Sequence, residues 1–240
     1  LETAPPAVKE QSRGSSSLRR APAEPDARAT ASYPASRGWP AAKRAFDIVF
    51  SAIALIAVLP LLIVIVIVIV LDSRGPLLFR QRRYGRGMEE FTVLKFRTMT
   101  DGASPAAHRE YIARLARGEI DDGTGLKKLS NDQRVTRVGG LLRKLSLDEL
   151  PQFFNVIGGS MSLIGPRPAI EYEVEHYSPH HFERFGVRPG LTGLWQVSGR
   201  SSVGFNEMLD LDVEYARTSS PAVDLRVLIR TPVAMIRFGA

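Results

Sequence analysis

The sequence predicts a mainly helical α+β fold, with an apolar membrane helix at its N-terminal side, a small β element and amphipathic helices. Two observations predict it. Residues 48–71 carry no charged side chain and are almost entirely Ile, Val, Leu and Ala. Beyond them, one short segment alternates in the manner of a strand, whereas the others have helical spacing. We therefore expect a tail or linker at 1–40, a re-entrant membrane helix hairpin at 41–72 and a compact domain at 73–240.

The first region is expected to lack a packed core. It is rich in Ala, Pro, Ser, Arg and Glu and poor in bulky apolar residues. Little apolar surface is therefore available to offset the entropy that the chain loses on ordering. Because the chain begins with Leu1, this region could also be a linker from an upstream domain.

The apolar segment is long enough for a membrane, since a bilayer core takes about 20 apolar residues as a helix. Pro60 lies in its middle and removes a helix hydrogen bond. Basic residues precede the segment at Lys43 and Arg44 and follow it from Arg74 onward, and positive residues favour the cytoplasmic side. A hairpin bent at Pro60 keeps both basic clusters on one side, so we expect a re-entrant helix. A kinked span with basic residues at both ends is the alternative.

Composition excludes several kinds of chemistry. The 240 residues include no cysteine, which excludes disulfides, thiolate metal sites and a cysteine nucleophile. Among the four histidines, His176 and His180 are one helical turn apart, but Pro179 disrupts a helix there and no third ligand is evident. No Walker loop or dinucleotide fingerprint is present. The net charge of +7 indicates a polyanionic partner, such as anionic lipid, a phosphorylated substrate or nucleic acid.

Residues 90–99 predict a strand, because β-branched and aromatic residues recur there in short alternation. Lys95 and Arg97 are two positions apart and therefore share one face of that strand. They either point into a phosphate site or form a solvated face.

Helical patterns cover residues 134–145, 147–157 and 224–238. The last of these places apolar residues near one face, with arginines beside it. That pattern suits a helix lying in the lipid headgroup region, and equally a helix packed on the soluble core.

The adjacent acids Asp148 and Glu149 have two interpretations. Ser146 and Glu149 have the spacing of a capping box, and Pro151 fits only in a first turn, so the acids could mark a helix start. Alternatively, a carboxylate that attacks phosphorus must stay ionised near an anion, which neighbouring arginines favour, and a second carboxylate can help to hold Mg²⁺. The basic residues around the pair are Arg134, Arg137, Arg143, Lys144 and Arg167.

Two loops present arginines between residues that restrict or open the backbone. In residues 165–168, two prolines bracket Arg167, and a guanidinium fork matches phosphate geometry. Residues 187–200 contain three glycines together with Arg188 and Arg200. Each loop could bind phosphate or be an ordinary loop with a solvated arginine.

Taken in order, these segments resemble the bacterial sugar transferase family, the monotopic polyprenyl-phosphate phosphoglycosyl transferases. The resemblance extends from Lys43 to the C-terminus. The matching pieces are KRAFD at 43–47, FRQRRYG at 79–85, KFRTM at 95–99, SLDELPQ at 146–152, NV at 155–156, MSLIGPRP at 161–168, RPGLTG at 188–193 and QVSGR at 196–200.

The resemblance implies a mechanism. The aspartate of the Asp-Glu pair is the family's nucleophile, which places Asp148 on the sugar-bearing phosphate of a UDP-sugar. UMP leaves, an aspartyl-phosphosugar intermediate remains, and polyprenyl (undecaprenyl) phosphate then takes the phosphosugar. Glu149, with Asp148, is expected to bind Mg²⁺. The candidate substrate-binding residues are Lys95, Arg97, Arg143, Arg167, Arg188 and Arg200.

The resemblance also implies a place for this chemistry. We expect the bacterial inner membrane, with a catalytic domain on the cytoplasmic face, in contact with lipid but not with nucleic acid, and with a homodimer allowed. Residues 230–234 resemble members that use UDP-glucose or UDP-galactose. The family's entry helix breaks at a Ser-Pro pair, whereas here Leu59 precedes Pro60. The alternative function is a basic, membrane-anchored adaptor that binds anionic lipid or nucleotide sugar without catalysis. It accounts for the charge and the apolar segment, but not for paired acids among arginines.

Overall fold

The computed structural model describes residues 39–100, 106–119, 134–199 and 203–237. In this part of the chain the fold is mainly helical α+β with two-stranded sheets, as predicted. The tail predicted at 1–40 lies outside it, except for its last two residues. The helices are α1 (Trp39–Ala57), α2 (Leu59–Asp72), α3 (Ala106–Ala116), α4 (Arg137–Lys144), α5 (Gln152–Gly158), α6 (Glu171–Val174), α7 (Leu194–Ser198), α8 (Phe205–Thr218) and α9 (Pro221–Arg237). The strands are β1 (Leu78–Tyr84), β2 (Glu90–Phe96), β3 (Ser162–Ile164) and β4 (Gly190–Thr192), and 3-10 turns occupy Arg86–Met88, Leu147–Glu149 and Pro179–Gly186.

The apolar segment forms two helices rather than one. Helix α2 begins at Leu59 with Pro60 in its first turn, where a missing N–H costs no helix hydrogen bond. Within the described ranges no single helix is long and apolar enough to cross a bilayer. Helices α1 and α2 meet that test together, bent by 63° at the break before Leu59. The bend predicted from Pro60 is therefore present.

Strands β1 and β2 form an antiparallel hairpin in which Phe79 faces Lys95 and Arg83 faces Phe91. The predicted strand at 90–99 ends early, at Phe96. Beyond it the chain leaves β1 and pairs with the segment before α4, where Met99 forms an isolated bridge with Val135.

Asn155 of α5 covers the outer edge of β2. Its Oδ1 accepts a hydrogen bond from the Leu94 N–H at 3.0 Å, and its Nδ2 donates to the Thr92 carbonyl at 2.7 Å. These contacts satisfy backbone groups that an edge strand otherwise leaves open.

The second sheet joins the two predicted arginine loops. Strands β3 and β4 are parallel, and Gly165 directly follows β3. A Cβ atom on Gly165 would lie 2.3 Å from the Arg188 carbonyl oxygen, so the two loops pack backbone against backbone. The core beneath them consists of Val93, Val156, Met161, Leu163, Ile164, Tyr215 and Val227.

Two predicted helices have different boundaries in the structure. Helix α4 starts only at Arg137, because Thr136 Oγ1 accepts a hydrogen bond from the Gly139 N–H at 2.9 Å and so caps the helix. The helix predicted at 147–157 is split into a 3-10 turn and α5, with Pro151 at the junction.

Helix α9 begins earlier than predicted, at Pro221. Its buried side carries Val227 and Ala234, whereas Leu225, Ile229 and Val233 are exposed on the outside. The helix is therefore apolar on two sides: one packs on the core and the other faces outward.

Candidate active site

The acidic pair lies on the 3-10 turn between α4 and α5. Leu147 packs among the residues that join α2 to β2 and thereby anchors the turn. Ser146 has a left-handed backbone with φ of 56°, a conformation that costs a non-glycine residue energy and clusters at functional sites. Its side chain makes no capping hydrogen bond, so the capping-box interpretation is wrong. Asp148 is buried, with 5% of its surface exposed.

Lys95 and Arg97 have different partners, although the predicted strand places them on one face. The Lys95 ammonium lies 2.7 Å from Glu149 Oε1 and thus faces the acidic turn. Arg97 is buried, and its guanidinium donates to the carbonyls of Pro76 and Ser73, each at 2.6 Å. The structure therefore brings Lys95 to the acids, whereas Arg97 closes the C-terminal end of α2.

Arg167 is held by a buried carboxylate that the sequence did not single out. Its Nη1 lies 2.8 and 2.9 Å from the two oxygens of Glu173, which is completely buried and also accepts from the Ile170 N–H at 3.0 Å. Burial raises the pKa of Glu173, but the charges of Arg167 and Arg83 outweigh burial and lower it overall. Glu173 is therefore an ionised counter-charge beside the predicted phosphate-binding arginine.

A second buried pair fixes the backbone of Arg167. Asp212 accepts from the Arg167 N–H at 3.2 Å, and Arg184 donates from Nη2 to the Arg167 carbonyl at 2.6 Å. Arg184 and Asp212 also pair with each other. Burial raises the pKa of Asp212 to about 6, so the carboxylate is ionised at neutral pH and pairs with Arg184. Arg167 thus has both its side chain and its backbone positioned.

His108 is a partly buried residue of α3 whose pKa is affected by three of the arginines. Its Nδ1 lies 2.6 Å from the Tyr172 hydroxyl. Burial lowers the pKa of His108 to about 4, and the charges of Arg167, Arg83 and Arg143 act in the same direction, against Glu173. Arg143, a predicted site residue on α4, therefore contributes to the same field as Arg167.

The structure places Arg188 at the C-terminal end of α5. Arg188 Nε donates to the Gly159 carbonyl at 3.0 Å, next to Arg44, whose Nη2 donates to the Ile157 carbonyl at 2.7 Å. Cations at a helix C-terminus are favoured by its exposed carbonyls, so both arginines stabilise the end of α5. Arg200 lies outside the described residues.

The donor chemistry of the acidic turn fits Mg²⁺. Asp148 and Glu149 offer only carboxylate oxygens, and Mg²⁺ is usually held by one or two carboxylates together with substrate phosphates. The nearby guanidinium groups are suited to the same phosphates.

The structure places Asp210 beside His180 and His181. The sequence predicts no histidine metal site because it shows no third ligand, and Asp210 is a residue of the ligand type that the sequence does not connect with these histidines. Both Nε2 atoms face Asp210 Oδ1, at 2.8 and 3.2 Å. His181 Nδ1 accepts from the Ser178 N–H, so in the neutral ring Nε2 carries the proton and donates to Asp210. The cluster is accounted for as a hydrogen-bonded group that joins the turn Pro179–Gly186 to α8.

Sequence reasoning missed Arg83, His108, Glu173, Arg184 and Asp212. Arg83 had a signal, because it lies inside one of the family-like segments. The buried acids had none, since Glu173 and Asp212 each have other acids two positions away on both sides, and the sequence does not show which of the three is buried.

Comparison with known proteins identifies the family of this chain. Residues 39–238 match the bacterial sugar transferase family. The exopolysaccharide production protein ExoY of Rhizobium meliloti is 40% identical over 190 residues, which cover 79% of this chain and 83% of that protein. An undecaprenyl-phosphate galactose phosphotransferase of Salmonella typhimurium is 39% identical over 197 residues, covering 81% of this chain and 40% of that protein. A UDP-glucose:undecaprenyl-phosphate glucose-1-phosphate transferase of Xanthomonas campestris is 38% identical over 204 residues, covering 81% and 39%. The chain therefore belongs to the bacterial sugar transferase family, as its motifs predicted.

Proposed function

We propose that this chain transfers a sugar 1-phosphate from a UDP-sugar to polyprenyl phosphate, giving polyprenyl diphosphate sugar and UMP. The observation that carries the proposal is the buried Asp148 on a strained turn, with the adjacent Glu149 paired to Lys95. The names of the relatives supply the classes of donor and acceptor. Glucose and galactose are the sugars we propose first.

The transfer is proposed to proceed in two displacements at phosphorus. An Asp148 carboxylate oxygen attacks the sugar-bearing β-phosphorus, the bond from that phosphorus to the bridging oxygen breaks, and UMP leaves with the electron pair. A phosphate oxygen of the polyprenyl carrier then attacks the same phosphorus. The Asp148–phosphorus bond breaks and the carboxylate is restored. Covalent catalysis of this kind divides a transfer between two anions into two easier steps.

The neighbouring charges have separate proposed roles. Glu149, with Asp148, holds Mg²⁺, which supplies charge neutralisation at the phosphates when bound. Arg167 and Arg143 contact phosphate oxygens, and preorganised cations stabilise the charge that develops there. Lys95 orients Glu149, since its ammonium is 2.7 Å from that carboxylate.

The proposed location is the cytoplasmic face of the bacterial inner membrane. Helices α1 and α2 form a re-entrant hairpin rather than a span, supported by their 63° bend and by basic residues on both flanks. The outward side of α9, with Leu225, Ile229 and Val233, lies in the headgroup region beside Arg226 and Arg230. This arrangement lets a lipid-borne phosphate reach the acidic turn from the membrane side.

The test is intact-mass spectrometry of the detergent-solubilised protein with Mg²⁺ and a panel of UDP-sugars, without lipid acceptor. We expect a mass gain of one phosphosugar that Asp148→Asn abolishes and that Glu214→Gln, an exposed acid on α8, retains. UMP release on addition of polyprenyl phosphate completes the assay. No adduct and no UMP across the panel would overturn the proposal and favour the non-catalytic adaptor. An adduct that persists in Asp148→Asn would place the nucleophile elsewhere.

A further inference from the structure

Arg83 lies on the hairpin face that carries Lys95. Residues that pair directly across an antiparallel ladder point to the same side, and every second residue along a strand shares that side. Arg83 pairs with Phe91, and Lys95 pairs with Phe79, four positions before Arg83. The face that delivers Lys95 to Glu149 therefore also carries Arg83, at its other end.

The hydrogen bonds of Arg83 go to neutral groups. Its Nη1 donates to the Pro168 carbonyl at 2.9 Å, and its Nη2 and Nε donate to Gln81 Oε1 at 2.6 and 3.1 Å. In the described part of the chain, no carboxylate forms an ion pair with it. Pro168 directly follows Arg167, so the fork is oriented against the loop that carries the phosphate-binding arginine.

The carboxylates that act on Arg83 are both paired with other cations. Glu173 forms its direct ion pair with Arg167, and Glu149 forms its own with Lys95. Burial lowers the pKa of Arg83 to about 10, and Arg167 is the next largest cause. Arg83 is only half-buried, so its remaining N–H groups can reach a ligand, and a bound phosphate group would offset the repulsion between Arg83 and Arg167.

We propose that Arg83 is a phosphate-binding residue of the active site, acting beside Arg167 on the phosphate groups of the substrates. The inference rests on the proposed function, because it assigns a ligand to the same site. Of the five N–H groups of a guanidinium, the contacts with Gln81 and Pro168 use three, which leaves donors for phosphate oxygens. The phosphate could belong to the nucleotide sugar or to the polyprenyl carrier, and kinetics separates the two.

Arg82 provides a matched control on the same strand. It points to the opposite side of the hairpin, its side chain is 86% exposed, and its ion pair with Glu90 has an N–O distance of 3.7 Å. An effect that depends only on the basic charge of β1 would appear in Arg82→Gln as well. An effect that depends on the site would not.

The experiment measures UMP release with Arg83→Gln, Arg83→Lys and Arg82→Gln, varying the UDP-sugar and the polyprenyl phosphate separately. Calorimetric binding of UDP is measured on the same preparations. Melting temperatures identify any variant that fails to fold, and Arg83→Lys retains the charge if Arg83→Gln is lost. Loss of charge-assisted hydrogen bonds is expected to lower kcat/KM for one substrate by roughly 10- to 100-fold in Arg83→Gln. Arg83→Lys should lose part of that, because an ammonium lacks the fork.

A loss that follows the UDP-sugar, with weaker UDP binding, assigns Arg83 to the nucleotide phosphates. A loss that follows the lipid, with UDP binding unchanged, assigns it to the acceptor phosphate. Equal kinetics and equal UDP binding in folded Arg83 and Arg82 variants would overturn the inference while leaving the transferase proposal intact. Absence of UMP release from the wild-type protein would instead overturn the transferase proposal, and UDP binding would still test Arg83.

Discussion

Replacing Glu173 by glutamine tests the claim that a buried counter-charge fixes Arg167. The substitution keeps the shape of the side chain and removes its charge. Glu173 is fully buried and accepts from Arg167 Nη1 through both oxygens and from the Ile170 N–H. A glutamine amide has only one acceptor oxygen, so its NH₂ group must face one of these donors.

The expected cost is large because the charge is removed from only one partner of a buried pair. Such changes typically destabilise by about 3–5 kcal/mol. In a domain of this size each kcal/mol lowers the melting temperature by about 2–4 °C, so Glu173→Gln should melt roughly 6–20 °C below the wild type. Glu183→Gln is the control, because Glu183 accepts from Arg217 Nε and Nη2 at 2.7 Å each in a pair that is more exposed, with 17% and 52% of the two side chains accessible against 0% and 20% for Glu173 and Arg167. Exposed pairs contribute about 0–1 kcal/mol.

The assay is thermal unfolding in one detergent at pH 7.5 and at decreasing pH. The pKa of Glu173 is lowered in the folded protein, so its stabilisation is present above the pKa of the unfolded chain. It is lost as the pH falls through the folded pKa, and the gap between wild type and Glu173→Gln should narrow in acid. Equal, small shifts in Glu173→Gln and Glu183→Gln would refute the reasoning, because burial would then have no effect on the value of the pair.

Two further changes test the packing of the loops and the cationic field. Gly165→Ala places a Cβ 2.3 Å from a backbone oxygen and should strongly destabilise the protein, whereas Gly158→Ala meets no atom within 4 Å and, at a helical position, should stabilise it by about 0.5–1 kcal/mol. Melting temperatures check both, and an unchanged Gly165→Ala would contradict the close packing of the loops. The pKa of His108 is lowered in the folded protein, so between pH 6.5 and about 4 the unfolded chain binds a proton at this histidine and the folded chain does not. The free energy of unfolding should therefore fall as the pH drops through this range. His108→Gln should reduce that fall and His176→Gln should not, as melting curves at pH 7.5 and 5 would show.

Lys95 and Arg97 show what the residue pattern of a single strand can and cannot predict. The alternation of the predicted strand implies that both share a face, but strand pairing ends at Phe96. Arg97 therefore lies beyond the hairpin, where the free carbonyls at the end of α2 take up its guanidinium. Where a strand stops depends on its partner strand, and the sequence of one strand does not contain that information.

The buried acids that hold Arg167 could not be predicted from the sequence. Glu173 and Asp212 have no periodicity or motif that distinguishes them from the other acids of a chain with 25. Their role arises because α6 and α8 bring them to Arg167 from 6 and 45 positions away along the chain. The acidic turn was a candidate from the sequence alone, because its two adjacent acids lie among several arginines, and its role at a phosphate site stays a prediction.

Arg188 shows that a correct motif does not fix the partner of a side chain. Its loop lies against Gly165, and its Nε donates to the Gly159 carbonyl at the end of α5. A helix C-terminus and a phosphate are both acceptors of guanidinium hydrogen bonds, so the pattern of the loop predicts an arginine that binds oxygen without saying which oxygen.

The apolar helix pair and the acidic turn are mechanically linked. Arg97 joins the end of α2 to the end of β2, and Leu147 packs between those same elements directly before Asp148. A displacement of α2 would therefore be transmitted to the turn through these contacts. The turn packs against α2, whereas Arg167 is fixed by the buried pairs of α6 and α8. The proposed nucleophile and the proposed phosphate-binding arginine consequently have separate anchors, and the hairpin of β1 and β2 contacts both parts through Lys95 and Arg83.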